Sequence, residues 1–116
     1  MARQPLVRRG DVWLVSLDPT VGHEVQKTRP ALIVTSNIYN RYNWVVLVVP
    51  LTSHDVAEYD QVLIRPPEGG LNSVSVTLPD QLRPVDRGRL VRRLGSVAAQ
   101  TIANVDRSLR IVLDLN

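Results

Sequence analysis

The 116-residue chain contains no cysteine and no phenylalanine, one methionine and two histidines. Without cysteine there is no disulfide framework and no thiolate chemistry, and a cytoplasmic location is the expectation. With aromatics at 4% of residues, the core has to be built from Val, Leu and Ile, and such β-branched material favours strands. No apolar run approaches membrane-spanning length; the longest, residues 44–51, is strand-sized, so no membrane association is expected. The basic N-terminal stretch MARQPLVRRG lacks the apolar centre of a secretion signal. His23 and His54 stand 31 positions apart without other ligands at metal-binding spacing, so no metal is expected. Neither a glycine-rich phosphate loop nor a Gly-x-Ser-x-Gly elbow occurs, and the acids are mostly scattered singly, which argues against paired-carboxylate chemistry. No cofactor is expected.

What the chain does have is arginine. Thirteen of its fourteen basic residues are Arg, the net charge is +3, and Arg83, Arg87, Arg89, Arg92 and Arg93 fall in one short stretch against the single acid Asp86. The planar guanidinium fork matches phosphate, so this stretch reads either as a solvated strand or as a polyanion-facing patch. At 44% hydrophobic residues the chain is long enough for one core, and one domain over residues 1–116 is expected.

The hydropathy pattern predicts strand after strand, then a helix. Strands are expected over residues 11–17, 30–35, 44–50, 60–65, 73–78, 81–85 and 89–94, with polar loops at 20–28 and 51–59 and a turn at 66–70. Residues 73–78 (SVSVTL) alternate as a half-exposed strand should. Ser36 is expected to cap a short helical turn ending near Tyr42. Ala98, Ile102, Val105, Leu109 and Val112 form one apolar helical stripe, with Ser96 as the expected N-cap. Trp13 and Trp44, inside apolar runs, are assigned to the core. The architecture implied is mainly β, a small bent antiparallel sheet or partial barrel with a C-terminal helix.

Four pieces in order, RRGDVWLVSLDP, GHEVQKTRPALIV, VVPLTS and LPDQLRPVDRGRL, are similar to the MazF/PemK (Kid-like) toxins over roughly residues 8 to 114. The resemblance implies a Src-homology-3-like small barrel of the MazF/Kid/CcdB plasmid-maintenance toxin type. It implies the toxin of a type II toxin-antitoxin pair: a homodimeric, metal-independent, sequence-specific endoribonuclease acting on single-stranded RNA. The cut would proceed by 2′-hydroxyl attack, leaving a 2′,3′-cyclic phosphate and a 5′-hydroxyl, and a MazE-like antitoxin would lay an acidic flexible segment along the RNA groove. Matched residue by residue, Arg29 is the catalytic arginine, Thr52 the hydroxyl facing it, and Glu24 the loop glutamate. Lys27, Thr28, Ser53, Gln81, Arg83 and Arg87 are the expected RNA contacts. Val25, Lys27 and Thr28 depart from the Gln, Gly and His found in many relatives, which bears on the bases preferred.

The chemistry is consistent with these residue types. RNA carries its own nucleophile, so the protein need only align it, move two protons and balance charge on the phosphorane. A guanidinium and a hydroxyl suit the last task. Arginine loses its proton only above about pH 12, which makes Glu24 the easier base, whereas the resemblance gives the proton to arginine; both assignments stay open. Two other readings fit such a barrel: a non-catalytic, gyrase-binding toxin like CcdB, and a degenerate barrel that binds RNA without cutting it.

Overall fold

The structure, a computed structural model, describes residues 6–17 and 28–116. Seven strands form one antiparallel sheet: β1 (Asp11–Ser16), β2 (Thr28–Ile33), β3 (Val45–Ser53), β4 (Leu63–Ile64), β5 (Ser75–Thr77), β6 (Arg83–Asp86) and β7 (Leu90–Ser96). The strand order is β4-β5-β3-β2-β1-β7, with β6 also pairing with β3. A short helix, α1 (Asn37–Tyr42), links β2 to β3, and a C-terminal helix, α2 (Ala99–Leu113), closes the chain. Among the described residues no helix is long and apolar enough to cross a membrane.

The long strand β3 organises the sheet. Its first half pairs with β6, from Val45↔Asp86 to Val48↔Arg83, and its last three residues pair with β5, from Leu51↔Thr77 to Ser53↔Ser75. One strand thereby serves two partners in succession, which curls the sheet into a half-barrel and separates its apolar side chains into two clusters. The first contains Trp13, Val15, Ala31, Ile33, Val46, Val48 and Val85. The second contains Val12, Leu32, Leu51, Val62, Ile64, Leu71, Val97 and Val105. Alternation along β1 and β2 sends successive residues to opposite clusters, as the period of two requires.

Several sequence expectations change here. β2 begins at Thr28 and ends at Ile33, not 30–35, because Thr28 and Arg29 ladder against Ser16 and Val15 of β1. β3 runs on through Ser53, where a polar loop was expected, because β5 supplies a partner for its edge. The expected strand at 60–65 shrinks to two residues, and β5 is only three residues long and buried throughout. Residues 79–81 form a turn of 3-10 helix, so β6 starts at Arg83. Trp13 is buried as expected, but Trp44 is 48% exposed, its indole N–H donating to Asp86 at 2.5 Å.

The helix ends show the same division between local and distant causes. Ser36 caps α1 as expected, its Oγ accepting from Tyr39 N at 3.2 Å. Ser96 does not cap α2; it is the last residue of β7, and the N-cap position falls on Ala98. The missing acceptor comes from Glu68, whose Oε2 takes hydrogen bonds from Ala98 N at 2.9 Å and Thr101 Oγ1 at 2.5 Å. A carboxylate at a helix N-terminus also opposes the helix dipole favourably. Of the predicted stripe on α2, Val105 is buried and Ile102 and Leu109 pack on the second cluster, while Ala98 and Val112 are exposed.

The turn around Glu68 presses backbone on backbone against β7. Gly70 has φ +68°, and a Cβ there would lie 2.0 Å from the carbonyl oxygen of Leu94. A Cβ at Gly95 would likewise lie 2.7 Å from Gly69 C and Gly70 N. Gly70→Ala is therefore expected to combine a left-handed backbone penalty with a clash that no rotamer relieves, costing about 2–4 kcal/mol. Thermal unfolding should show Tm lowered by roughly 10 °C; an unchanged Tm would contradict this account of the contact.

Candidate active site at the β2 and β3 ends

Arg29 is the second residue of β2 and stands across from Val15 of β1. The β2–β3 ladder pairs Ile33↔Val48, Leu32↔Val49 and Ala31↔Pro50. Carried two residues further, this register sets Arg29 opposite Thr52. Residues directly opposed in an antiparallel pair project to one face, with Cβ atoms about 4.5–5.5 Å apart. The observed ladder ends at Ala31↔Pro50; by residue parity, Arg29 and Thr52, two positions beyond it on neighbouring strands, fall on the side of the first apolar cluster. Both are half-buried, and among the described residues neither side chain has a hydrogen-bond or ion-pair partner.

The rim beside them is cationic. Arg83 Nη1 donates to Leu17 O at 2.9 Å and Arg89 Nη1 to Ser16 O at 3.5 Å. These carbonyls lie at and just past the end of β1, where Ser16 pairs with Thr28, the neighbour of Arg29. Arg89 was visible in the sequence only as one member of the Arg83–Arg93 stretch; it is the β1 carbonyl it reaches that brings it to the site. Gln81 is exposed on the 3-10 turn of residues 79–81, and Leu78 N donates to Pro50 O at 2.9 Å, which holds that turn against β3 two residues before Thr52.

Other expected contacts are distributed differently. Thr28 and Ser53 alternate with Arg29 and Thr52 and belong to the opposite face of the strand ends. Ser53 Oγ there shares a 2.9 Å hydrogen bond with Ser73 Oγ. Arg87, expected to contact RNA, is only 5% exposed, with Nε donating to Asn43 O at 3.0 Å and its backbone N to Trp44 O. It sits level with the start of β3, about 26 Å of strand from Thr52 at roughly 3.3 Å per residue. The fold uses it as a strut behind Trp44 and does not bring it to the rim. His54 is exposed, with Nδ1 accepting from Val56 N. Glu24, Lys27 and His23 lie outside the described residues. No group of three or more His, Cys, Asp or Glu residues among those described is arranged to hold a metal ion.

A curled half-barrel sheet with a C-terminal helix, with Arg29 and Thr52 near an arginine-bearing strand end, is the architecture of a small β-barrel domain of the toxin type. Residues 8–113 match the PemK-like, MazF-like toxins of type II toxin-antitoxin systems, and the chain belongs to that family. It is 35% identical to endoribonuclease MazF9 of Mycobacterium tuberculosis, with 95% of this chain and 98% of that protein covered. It is 41% identical to endoribonuclease PemK of Escherichia coli, over 88% of this chain and 77% of that protein. The fold matches a MazE-MazF structure from Deinococcus radiodurans with a TM-score of 0.82 at 26% identity, covering 97% of this chain and 99% of that one. A mycobacterial endoribonuclease in complex with its cognate antitoxin matches with a TM-score of 0.77 at 24% identity, over 95% of this chain and 97% of that one.

Proposed function

We propose that this protein is the endoribonuclease toxin of a type II toxin-antitoxin pair, cutting single-stranded RNA without a metal ion. The observation that carries the reading is the β2–β3 ladder, which if continued two residues past Ala31↔Pro50 would set Arg29 across from Thr52, both side chains unpartnered among the described residues. Relatives that bear the name endoribonuclease, matched over 98% and 77% of their own length, support it.

In this mechanism the phosphodiester sits between the two side chains. Arg29 presents a planar fork to two non-bridging oxygens, and Thr52 donates one hydrogen bond to the same phosphate. The adjacent 2′-oxygen attacks phosphorus, its proton passing to a base, and the P–O5′ bond breaks as the leaving oxygen takes up a proton. The products are a 2′,3′-cyclic phosphate and a 5′-hydroxyl. Glu24 and Arg29 are the two candidates for the base, and Glu24→Gln separates them: a large loss in kcat assigns the proton to Glu24, near-normal turnover to Arg29. Arg83 and Arg89 stiffen the end of β1 and add positive potential, which favours approach of a polyanion. Gln81, exposed beside the end of β3, would meet a base or phosphate flanking the cut. A homodimer, and neutralisation by an antitoxin with an acidic flexible segment, belong to the same proposal; structures of relatives solved with their antitoxin support the latter.

Cut ends on a mixed RNA pool test the function. Cyclic phosphates and 5′-hydroxyls are expected, at an undiminished rate in excess EDTA, because the proposed chemistry draws on side-chain donors alone. Cleavage lost in EDTA and restored by magnesium would contradict the mechanism. Intact RNA together with inhibited DNA supercoiling would favour the gyrase-binding alternative.

A further inference from the structure

The face of the sheet opposite Arg29 and Thr52 is covered by α2 over only part of its length. Val12 and Leu32 pack beneath Val105 and Ile102 of α2 in the second apolar cluster. Two residues further along, the helix no longer reaches, and the same face opens into a cavity of about 530 Å³. That is within the roughly 300–1,000 Å³ typical of ligand sites. The register lays Arg92, Leu14 and Pro30 in one row across β7, β1 and β2, and Leu51 of β3 continues it. The next row outward carries hydroxyls: Ser16 pairs with Thr28, and Ser53 with Ser75.

The chemistry of the lining points to one kind of occupant. Leu14, Pro30 and Leu51 make a flat apolar floor, Asn72 and Ser73 offer hydrogen-bonding groups on one wall, and Arg92 and Arg93 stand on the other, with no carboxylate among the lining residues. Arg93 is turned toward Asp11, with Nε 3.4 Å from Oδ1. Arg92 is exposed and has no side-chain partner among the described residues. The cavity also begins where the candidate active site ends: Pro30 follows Arg29, and Leu51 and Ser53 flank Thr52. A strand crossing the sheet end would pass from one face to the other within a short length of its backbone.

We propose that this groove holds a nucleotide flanking the cleaved bond, with its base on the Leu14–Pro30–Leu51 floor, its edge toward Asn72 and its phosphate on Arg92. The inference rests on the ribonuclease reading for the identity of the strand, and its test is binding, which does not depend on cleavage. The probe is a fluorescein-labelled single-stranded DNA carrying the sequence of a cleaved RNA, or a mixed-sequence strand if none is cut; lacking 2′-hydroxyls, it binds but cannot react. Binding is followed by anisotropy across a salt series. Arg92→Ala is expected to weaken affinity about tenfold, the size of one charge-assisted contact. The slope of log affinity against log salt should become shallower by about 0.7, one phosphate on a single strand. Asn72→Trp, which fills the groove from the other wall, should weaken binding as well, and Arg92→Lys should recover part of the salt slope. Both substituted positions are exposed, so the fold is expected to survive. Equal affinity and slope in wild type and Arg92→Ala would overturn the inference. So would a change of oligomeric state on gel filtration that accounts for the loss, which would assign the groove to a second copy of the chain. Cleavage of the all-ribose strand by the wild type reports separately on the nuclease reading.

Discussion

Arg29→Ala is expected to abolish cleavage of single-stranded RNA, with kcat/KM lowered by about 10³–10⁵-fold, the range seen when an arginine serving a phosphoryl transition state is lost. In the proposed mechanism the guanidinium is the group that takes charge as the phosphorane forms. Because Arg29 has no side-chain partner among the described residues, its removal should cost the fold less than about 1 kcal/mol. Circular dichroism and Tm of the variant should therefore match the wild type while activity disappears. Arg29→Lys is expected to recover little, since an ammonium presents a point charge and not a fork. A well-folded Arg29→Ala protein that still cuts RNA at full rate would reject the assignment of the site.

Thr52→Val should lower kcat by about 10²–10³-fold, the usual effect of deleting one preorganised donor to a developing oxyanion. Valine keeps the shape of threonine and its preference for strands, so the pairing of Thr52 with Val76 across β3 and β5 should persist. Loss confined to kcat would mean that the hydroxyl acts in the transition state; an equal rise in KM would mean that it merely helps hold the substrate. Thr52→Ser should retain most of the rate because the donor is kept. Near-normal turnover in Thr52→Val would remove the hydroxyl from the mechanism.

Much of the local structure was legible before any coordinates. The alternation of residues 11–17 specified β1, Ser36 specified the start of α1, and the spacing of Ile102, Val105 and Leu109 specified the buried side of α2. Each depends on neighbours within a few positions, and the rules of period and capping are themselves local. What escaped had a distant cause. Ser96 is chemically a good cap, but β7 needs it as a ladder residue opposite Asp11, and Glu68 caps α2 from thirty residues away. Thr52 and Ser53 are polar enough to read as loop, and β5 holds them in the sheet. Trp44 reads as core by hydropathy, but it precedes β3 and remains 48% exposed, with Asp86 anchoring its indole.

The candidate site divides along the same line. Arg29 and Thr52 were identified from motifs, but that they lie on adjacent strands follows from the β2–β3 pairing, between segments about twenty residues apart. Arg87 illustrates the converse. In the sequence it is indistinguishable from Arg83 and Arg89, three members of one basic stretch. In the fold, Arg83 and Arg89 reach the last carbonyls of β1, whereas Arg87 is buried behind Asn43 and Trp44.

Composition, hydropathy period and ordered motifs by themselves determined a β-rich domain closed by a helix, its family, and which arginine and threonine to examine. Only the tertiary structure decided which arginines share an edge and which is buried, where helix cover ends and a groove begins, and what caps α2. The physical reason is range: propensity and periodicity act between near neighbours, whereas burial, register and charge clustering depend on segments that become adjacent only when the sheet has curled.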